Sequence, residues 1–143
     1  MNETSSVTLG KLKAALETGG YTCVLWANGE LLFSRERGVK PLLGWIREGK
    51  DLRGALAADK VVGKAAALLY AYMGASAVYA GVAGEAAAAV LARHSVFAEI
   101  GRTVPRIRNR AGTGFCPMET AVWDVEDPAE AFALLQQKVY GAQ

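Results

Sequence analysis

Apolar residues recur along this chain with two different periods, and the changes of period mark out its elements. Leu9, Leu12, Ala15 and Leu16 keep helical spacing, which predicts a helix over 7–16 that stops at Gly19 and Gly20, after a frayed polar start at 1–5. Residues 21–26 are then rich in β-branched and aromatic side chains, Asn28-Gly29 is the strongest short-range hairpin signal, and residues 31–34 form a second apolar run. Two antiparallel strands are predicted. Lys40-Pro41 opens a short segment over 42–46, and Gly49 closes it.

In the second half, Asp59 reads as the cap of a strongly apolar helix over 60–73 that Gly74 ends. Residues 75–82 read as a buried strand, Gly84-Glu85 starts an alanine-rich helix ending near His94, and 96–100 is another strand. Helix, strand, helix, strand in that order predicts parallel pairing. A short helix over 117–123 follows, and Asp127-Pro128-Ala129-Glu130 is a strong helix entry, with Asp at the N-cap, Pro at the first position and Glu at the third, leading into 131–139. The predicted class is α/β: a three-layer α/β/α sandwich with a mixed sheet. There are no internal repeats.

Length and composition bound the rest. The 143 residues suit one domain over 1–143 with a single core. A charged fraction of 21% and a formal net charge of +2 give no polyelectrolyte field, which argues against nucleic acid as a partner. Cys23 and Cys116 are far apart with no paired motif, and the N-terminus does not resemble a signal peptide, so the expected setting is reduced and cytoplasmic. The apolar run over 61–73 is broken by Gly63 and Lys64 and is too short for a bilayer. No membrane segment is expected. Gly63-Lys64 is not a nucleotide-binding P-loop: no glycine stands five residues before Gly63, and Ala65 replaces the Ser or Thr that would bind magnesium. No cofactor motif is present.

Candidate chemistry gathers in 109–119, where a basic, glycine-opened loop runs into a helix start. Pro117 there puts Cys116 at the N-cap and Glu119 in the first turn. A thiol at a helix N-terminus ionises more easily, so Cys116 could serve as a nucleophile with Glu119 shuttling a proton. The alternatives are a small packed hydrophobe at Cys116 and a capping box in which Glu119 accepts the Cys116 amide. Arg102, Arg106, Arg108 and Arg110 suit a phosphate or carboxylate, or else form the charged face of an edge strand. Cys23 reads as core, His94 as a residue at a helix C-terminus, and Trp26, Trp45 and Trp123 as core or interface aromatics.

The hairpin, central helix, strand, helix, strand order resembles the cytidine deaminase-like fold. More narrowly, 59–67 and the segment from Asn109-Arg110 to Cys116-Pro117-Met118-Glu119 resemble the DUF1893 family, a non-deaminase branch of that fold. The resemblance implies a domain without the zinc site. Where a deaminase carries His-x-Glu, this chain has 59–64, and where the paired cysteines would stand it has 81–85. No metal ligands are expected.

The site expected is a pocket for an anionic or nucleotide-like small molecule between two segments. Asp59, Lys60, Gly63 and Lys64 come from the predicted helix start, and Asn109, Arg110, Gly112, Thr113 and Gly114 from the loop. Cys116 and Glu119 are its candidate catalytic pair, with Lys64 or Arg110 stabilising negative charge in a metal-independent, cysteine-dependent reaction. The bland counterpart at the helix start is that Asp59 only caps, Lys60 and Lys64 are solvated, and Gly63 permits tight packing. A noncatalytic binding or regulatory module, or a structural homo-oligomer, is the alternative for the whole chain.

Overall fold

The computed structural model describes residues 8–109, 111–112 and 114–141. Helix α1 (Leu9–Gly19) begins where the Thr8 side chain accepts the Lys11 amide and ends at Gly20, which has φ 70°. Strands β1 (Cys23–Ala27) and β2 (Glu30–Ser34) form the hairpin that Asn28-Gly29 predicts, with both turn residues at positive φ, 50° and 76°. The segment after Lys40-Pro41 is a helix, α2 (Lys40–Arg47).

The largest departure from the sequence reading comes next. Residues predicted to open the central helix instead form a strand, β3 (Leu56–Val62), and helix α3 (Lys64–Met73) begins only after Gly63. Asp59 is therefore not a helix cap, and Lys60 is a strand residue. Alanine, lysine and aspartate favour helices or caps locally, yet this segment pairs with β1 on one side and β4 on the other. Ladder hydrogen bonds on both edges outweigh a local preference worth a few tenths of a kcal/mol per residue.

Strand β4 (Ala77–Gly84), helix α4 (Glu85–Arg93) and strand β5 (Phe97–Val104) follow in the predicted order. A short helix α5 (Pro117–Ala121) and a long one, α6 (Pro128–Tyr140), complete the chain. Asp127 caps α6 by accepting the Glu130 amide. The sheet order is β2-β1-β3-β4-β5, antiparallel through β1 and parallel from β3 to β5, so the sheet is mixed and the class is α/β.

Alternation along the strands separates two apolar layers. Leu25, Ala57, Val78 and Ala80 face α2, α3, α4 and α6, whereas Val24, Ala58 and Tyr79 lie under Leu12 and Leu16 of α1. Helix α3 touches α2, α4, α6 and β3, and every residue from Lys64 to Tyr70 is buried. Such a helix needs apolar or small residues all round, which is what its alanines, leucines and Tyr70 supply.

Candidate functional site

A cleft of about 770 Å³ opens at the carboxyl end of β3, the end of a parallel strand at which ligand crevices form in α/β sheets. One wall is the start of β1 with the segment after β2: Thr22, Cys23, Glu36, Arg37, Gly38 and Val39. The floor is Asp59, Lys60 and Val61 with Gly63, Ala65 and Ala66 at the start of α3. Opposite them stand Ile107, Arg108, Asn109 and Ala111, then Cys116, Pro117, Met118 and Glu119. The two motifs at 59–66 and 107–119 thus border one space.

Individual residues depart from their expected places. Lys64 lines no part of the cleft. Its ammonium group donates to the Trp123 carbonyl at 2.7 Å and to Glu126 Oε2 at 2.8 Å, with only 6% of the side chain exposed, so it fastens α3 to the α5–α6 connection. Gly112 and Gly114 also stay out of the lining. The loop closes on itself, with Gly112 N donating to Asn109 O at 3.1 Å and Asn109 N to Gly114 O at 2.8 Å. Arg110 and Thr113 lie outside the described residues.

Glu119 is buried, and its Oε2 accepts the Ala65 amide at 2.8 Å. The Cys116 amide instead donates to the Ile107 carbonyl at 3.2 Å, so there is no local capping box. The carboxylate caps a different helix, satisfying one of the amides that the first turn of α3 leaves unpaired. Gly63 makes room for it: a Cβ at that position would stand 2.5 to 2.7 Å from the Glu119 carboxylate atoms. Cys116 occupies the N-cap position of α5 and is partly exposed.

Arg106 is committed to packing rather than to the cleft. Its guanidinium lies 3.7 Å from the Trp123 ring centre and 4.0 Å from that of Phe115, while Arg108 pairs across to Phe115 in an isolated β-bridge. Arg108 and Arg37 remain exposed at the cleft. Arg102 is exposed on β5, and His94 stands at the C-cap of α4, both outside the lining.

The sequence reading missed what surrounds Asp59. The Tyr70 hydroxyl donates to Asp59 Oδ2 at 2.8 Å, and the Cys23 sulfur stands 3.4 Å from the same hydroxyl. Register places Cys23 directly across from Asp59, so a cysteine that reads as core is one end of a buried polar chain. Burial pushes the Asp59 carboxyl up to about 7, against the lowering effect of the Tyr70 hydroxyl and of the Val61 and Lys60 amides. Burial likewise raises the Cys23 thiol and the Tyr70 hydroxyl well above their usual ranges, and the Asp59 charge adds to both. The local pattern gives no signal for this network, because residues 56–62 do not alternate and Asp59 reads as a helix cap. Among the described residues no group of three or more His, Cys, Asp or Glu is placed to hold a metal ion, and no helix is long and apolar enough to cross a membrane.

Comparison with known proteins places the fold. A family model described as TM1506, a domain of unknown function (DUF1893), matches residues 11–139. The crystal structure of a DUF1893 family protein (TM1506) from Thermotoga maritima superposes with a TM-score of 0.84 at 22% identity, covering 96% of this chain and 92% of that one. At that identity the likeness carries the fold alone. No curated protein matches the sequence. Because the family model takes in nearly the whole described structure, including both segments that border the cleft, the chain belongs to the DUF1893 family.

Proposed function

We propose that this protein binds a small anionic or nucleotide-like molecule in the cleft between β3, the start of α3 and the 107–119 segment. The observation that carries the reading is the convergence there of a buried, protonatable carboxyl at Asp59 with two exposed arginines, Arg37 and Arg108, around a largely aliphatic wall. An apolar enclosure with a few placed polar groups is the usual make-up of a ligand pocket. Arginine suits the anionic part because its planar guanidinium meets a phosphate or carboxylate with paired hydrogen bonds. The hairpin-first sheet, with α3 entering after β3, supports reading the fold as cytidine deaminase-like. The cleft then stands where a zinc deaminase would carry its His-x-Glu.

The hydrogen bonds favour binding over turnover. Glu119, the candidate proton shuttle, spends its carboxylate on the Ala65 amide. The position of Cys116 on the cleft wall supports the second reading, a cysteine-dependent enzyme, for which loss of any turnover in Cys116→Ser is the test. The binding reading is tested by thermal unfolding with a panel of nucleoside monophosphates. Occupancy raises stability as RT ln(1 + [L]/Kd) in the wild type, and the rise shrinks in Arg37→Ala and Arg108→Ala. A panel that leaves the unfolding temperature unmoved at millimolar ligand removes the nucleotide-like reading.

A further inference from the structure

Asp59 is in the cleft wall with only 7% of its surface exposed, and no Lys, Arg or His among the described residues lies within ion-pair reach of it. Its fixed partners are neutral. Tyr70 donates to Oδ2 at 2.8 Å, with Cys23 behind Tyr70 at 3.4 Å, and the Val61 amide reaches Oδ1 over a long 3.4 Å. The other charged or titratable groups at the cleft are Glu119, bound to the Ala65 amide, and Glu36, Arg37, Lys60, Arg108 and Cys116, none of whose side chains bonds Asp59; Lys60 reaches it only through its neutral backbone amide. A desolvated carboxylate without a cation is expensive, whereas the protonated acid is not.

We propose that Asp59 is the specificity-determining group of the cleft and meets its ligand as a neutral carboxyl, pairing by one O–H donor and one oxygen acceptor with an amide or lactam edge rather than with a cation. The proposal rests on the reading that the cleft takes a small molecule. An ionised carboxylate only accepts and draws ammonium or amidinium groups, while the neutral acid both donates and accepts. Oδ2 holds one hydrogen from Tyr70 and keeps a second lone pair for a ligand N–H, and Oδ1 carries the proton toward a ligand carbonyl. Tyr70 and the Val61 amide hold the group, and Cys23 holds the Tyr70 hydroxyl in turn. Val39, Val61, Ala66 and Ile107 offer apolar surface for the body of such a ligand.

Benzamide and benzamidine separate the two possibilities, since they share a ring and differ in whether the head group is a neutral amide or a cation. Each is titrated into the full-length protein from about pH 5.5 to about pH 8.5, followed by amide chemical shifts of the cleft residues. Benzamide is expected to bind in preference to benzamidine at pH 6. With the Asp59 carboxyl at about 7, its affinity should weaken about tenfold between pH 6 and pH 8 as the acid ionises. Asp59→Asn, which keeps a donor and an acceptor, should hold benzamide with that pH dependence gone. Preference for benzamidine, or benzamide affinity that rises with pH, overturns the proposal, and the wild-type pH profile decides this even if Asp59→Asn does not fold. If neither probe shifts a cleft residue at any pH while the nucleoside monophosphates still stabilise the protein, this inference falls alone; if those fail as well, the small-molecule reading falls with it.

Discussion

At Asp59 the balance between burial and hydrogen bonding sets when the side chain ionises, and that balance is also a statement about stability. Its carboxyl moves from an ordinary 3.8 up to about 7 because desolvation outweighs the Tyr70, Val61 and Lys60 hydrogen bonds. Between those two values the folded chain holds a proton that the unfolded chain has lost. Stability therefore falls as pH rises from about 4 to about 7 and levels off above, by an amount on the order of 4 kcal/mol for a shift of that size. The sign is opposite to that of a salt-bridged aspartate, whose contribution is lost toward acid. Asp59→Asn has no such titration, so its stability should stay level across the window in which the wild type declines, once the other carboxylates common to both are subtracted. Denaturant unfolding of both chains at intervals from about pH 4 to about pH 8 checks this. A parallel pair of curves would mean that Asp59 ionises at its ordinary value.

Between elements, the bond from Glu119 to the Ala65 amide joins α5 to the start of α3, and Gly63 is shaped to the carboxylate that makes it. Glu119→Ala should cost about 1–3 kcal/mol, through a lost cap and an unpaired buried amide. Gly63→Ala alone should also destabilise, because its Cβ would stand within 2.7 Å of the Glu119 carboxylate. In the double variant that carboxylate is absent, so the two costs should fail to add by about 1 kcal/mol or more, a coupling that a double-mutant cycle reads directly. Lys64 is fastened differently: Lys64→Met strands the Trp123 carbonyl and should cost about 1–3 kcal/mol. Glu126→Gln should also destabilise, by about 1 kcal/mol or more: Glu126 is 62% exposed, but the Lys64 side chain is only 6% exposed and would keep its charge without an anion. These contacts also mark the limit of what the amino-acid order discloses. Asn28-Gly29 and Asp127-Pro128-Ala129-Glu130 act within four residues, and both elements stand where the local pattern puts them. The strand over Leu56–Val62 was hidden because alanine, aspartate and lysine there read as a helix start, and only its neighbours β1 and β4 make it a strand. Glu119 looked like a local cap, yet its partner lies 54 positions away. Tyr70 sat inside a helical apolar run, and nothing local distinguished it from its leucine neighbours as the donor to Asp59.

Across the whole molecule the two cysteines report different events, because the fold gives them different access to solvent. Cys116 stands at the cleft wall on a partly exposed helix start. Cys23 is 3% exposed on β1, held between β2 and β3 and backed by Tyr70 of α3, and its thiol is raised well above the usual range by burial and by Asp59. Alkylation requires both access and the thiolate, so Cys23 is doubly protected. Although Cys23 also borders the cleft, only 3% of it is exposed there, so to react it must lose the packing of β1 against α3, which joins the sheet to the helical layer and belongs to the largest apolar cluster. Its labelling should therefore follow opening of the whole fold rather than local fraying. In native buffer, iodoacetamide should modify Cys116 while sparing Cys23, as read peptide by peptide by mass spectrometry. With rising denaturant, Cys23 labelling should grow in step with the loss of circular dichroism, and Cys116 labelling should change far less. Labelling of Cys23 well before the global transition would mean that β1 opens as a separate unit, and the Asp59 network would then be exposed to solvent in a partly folded state.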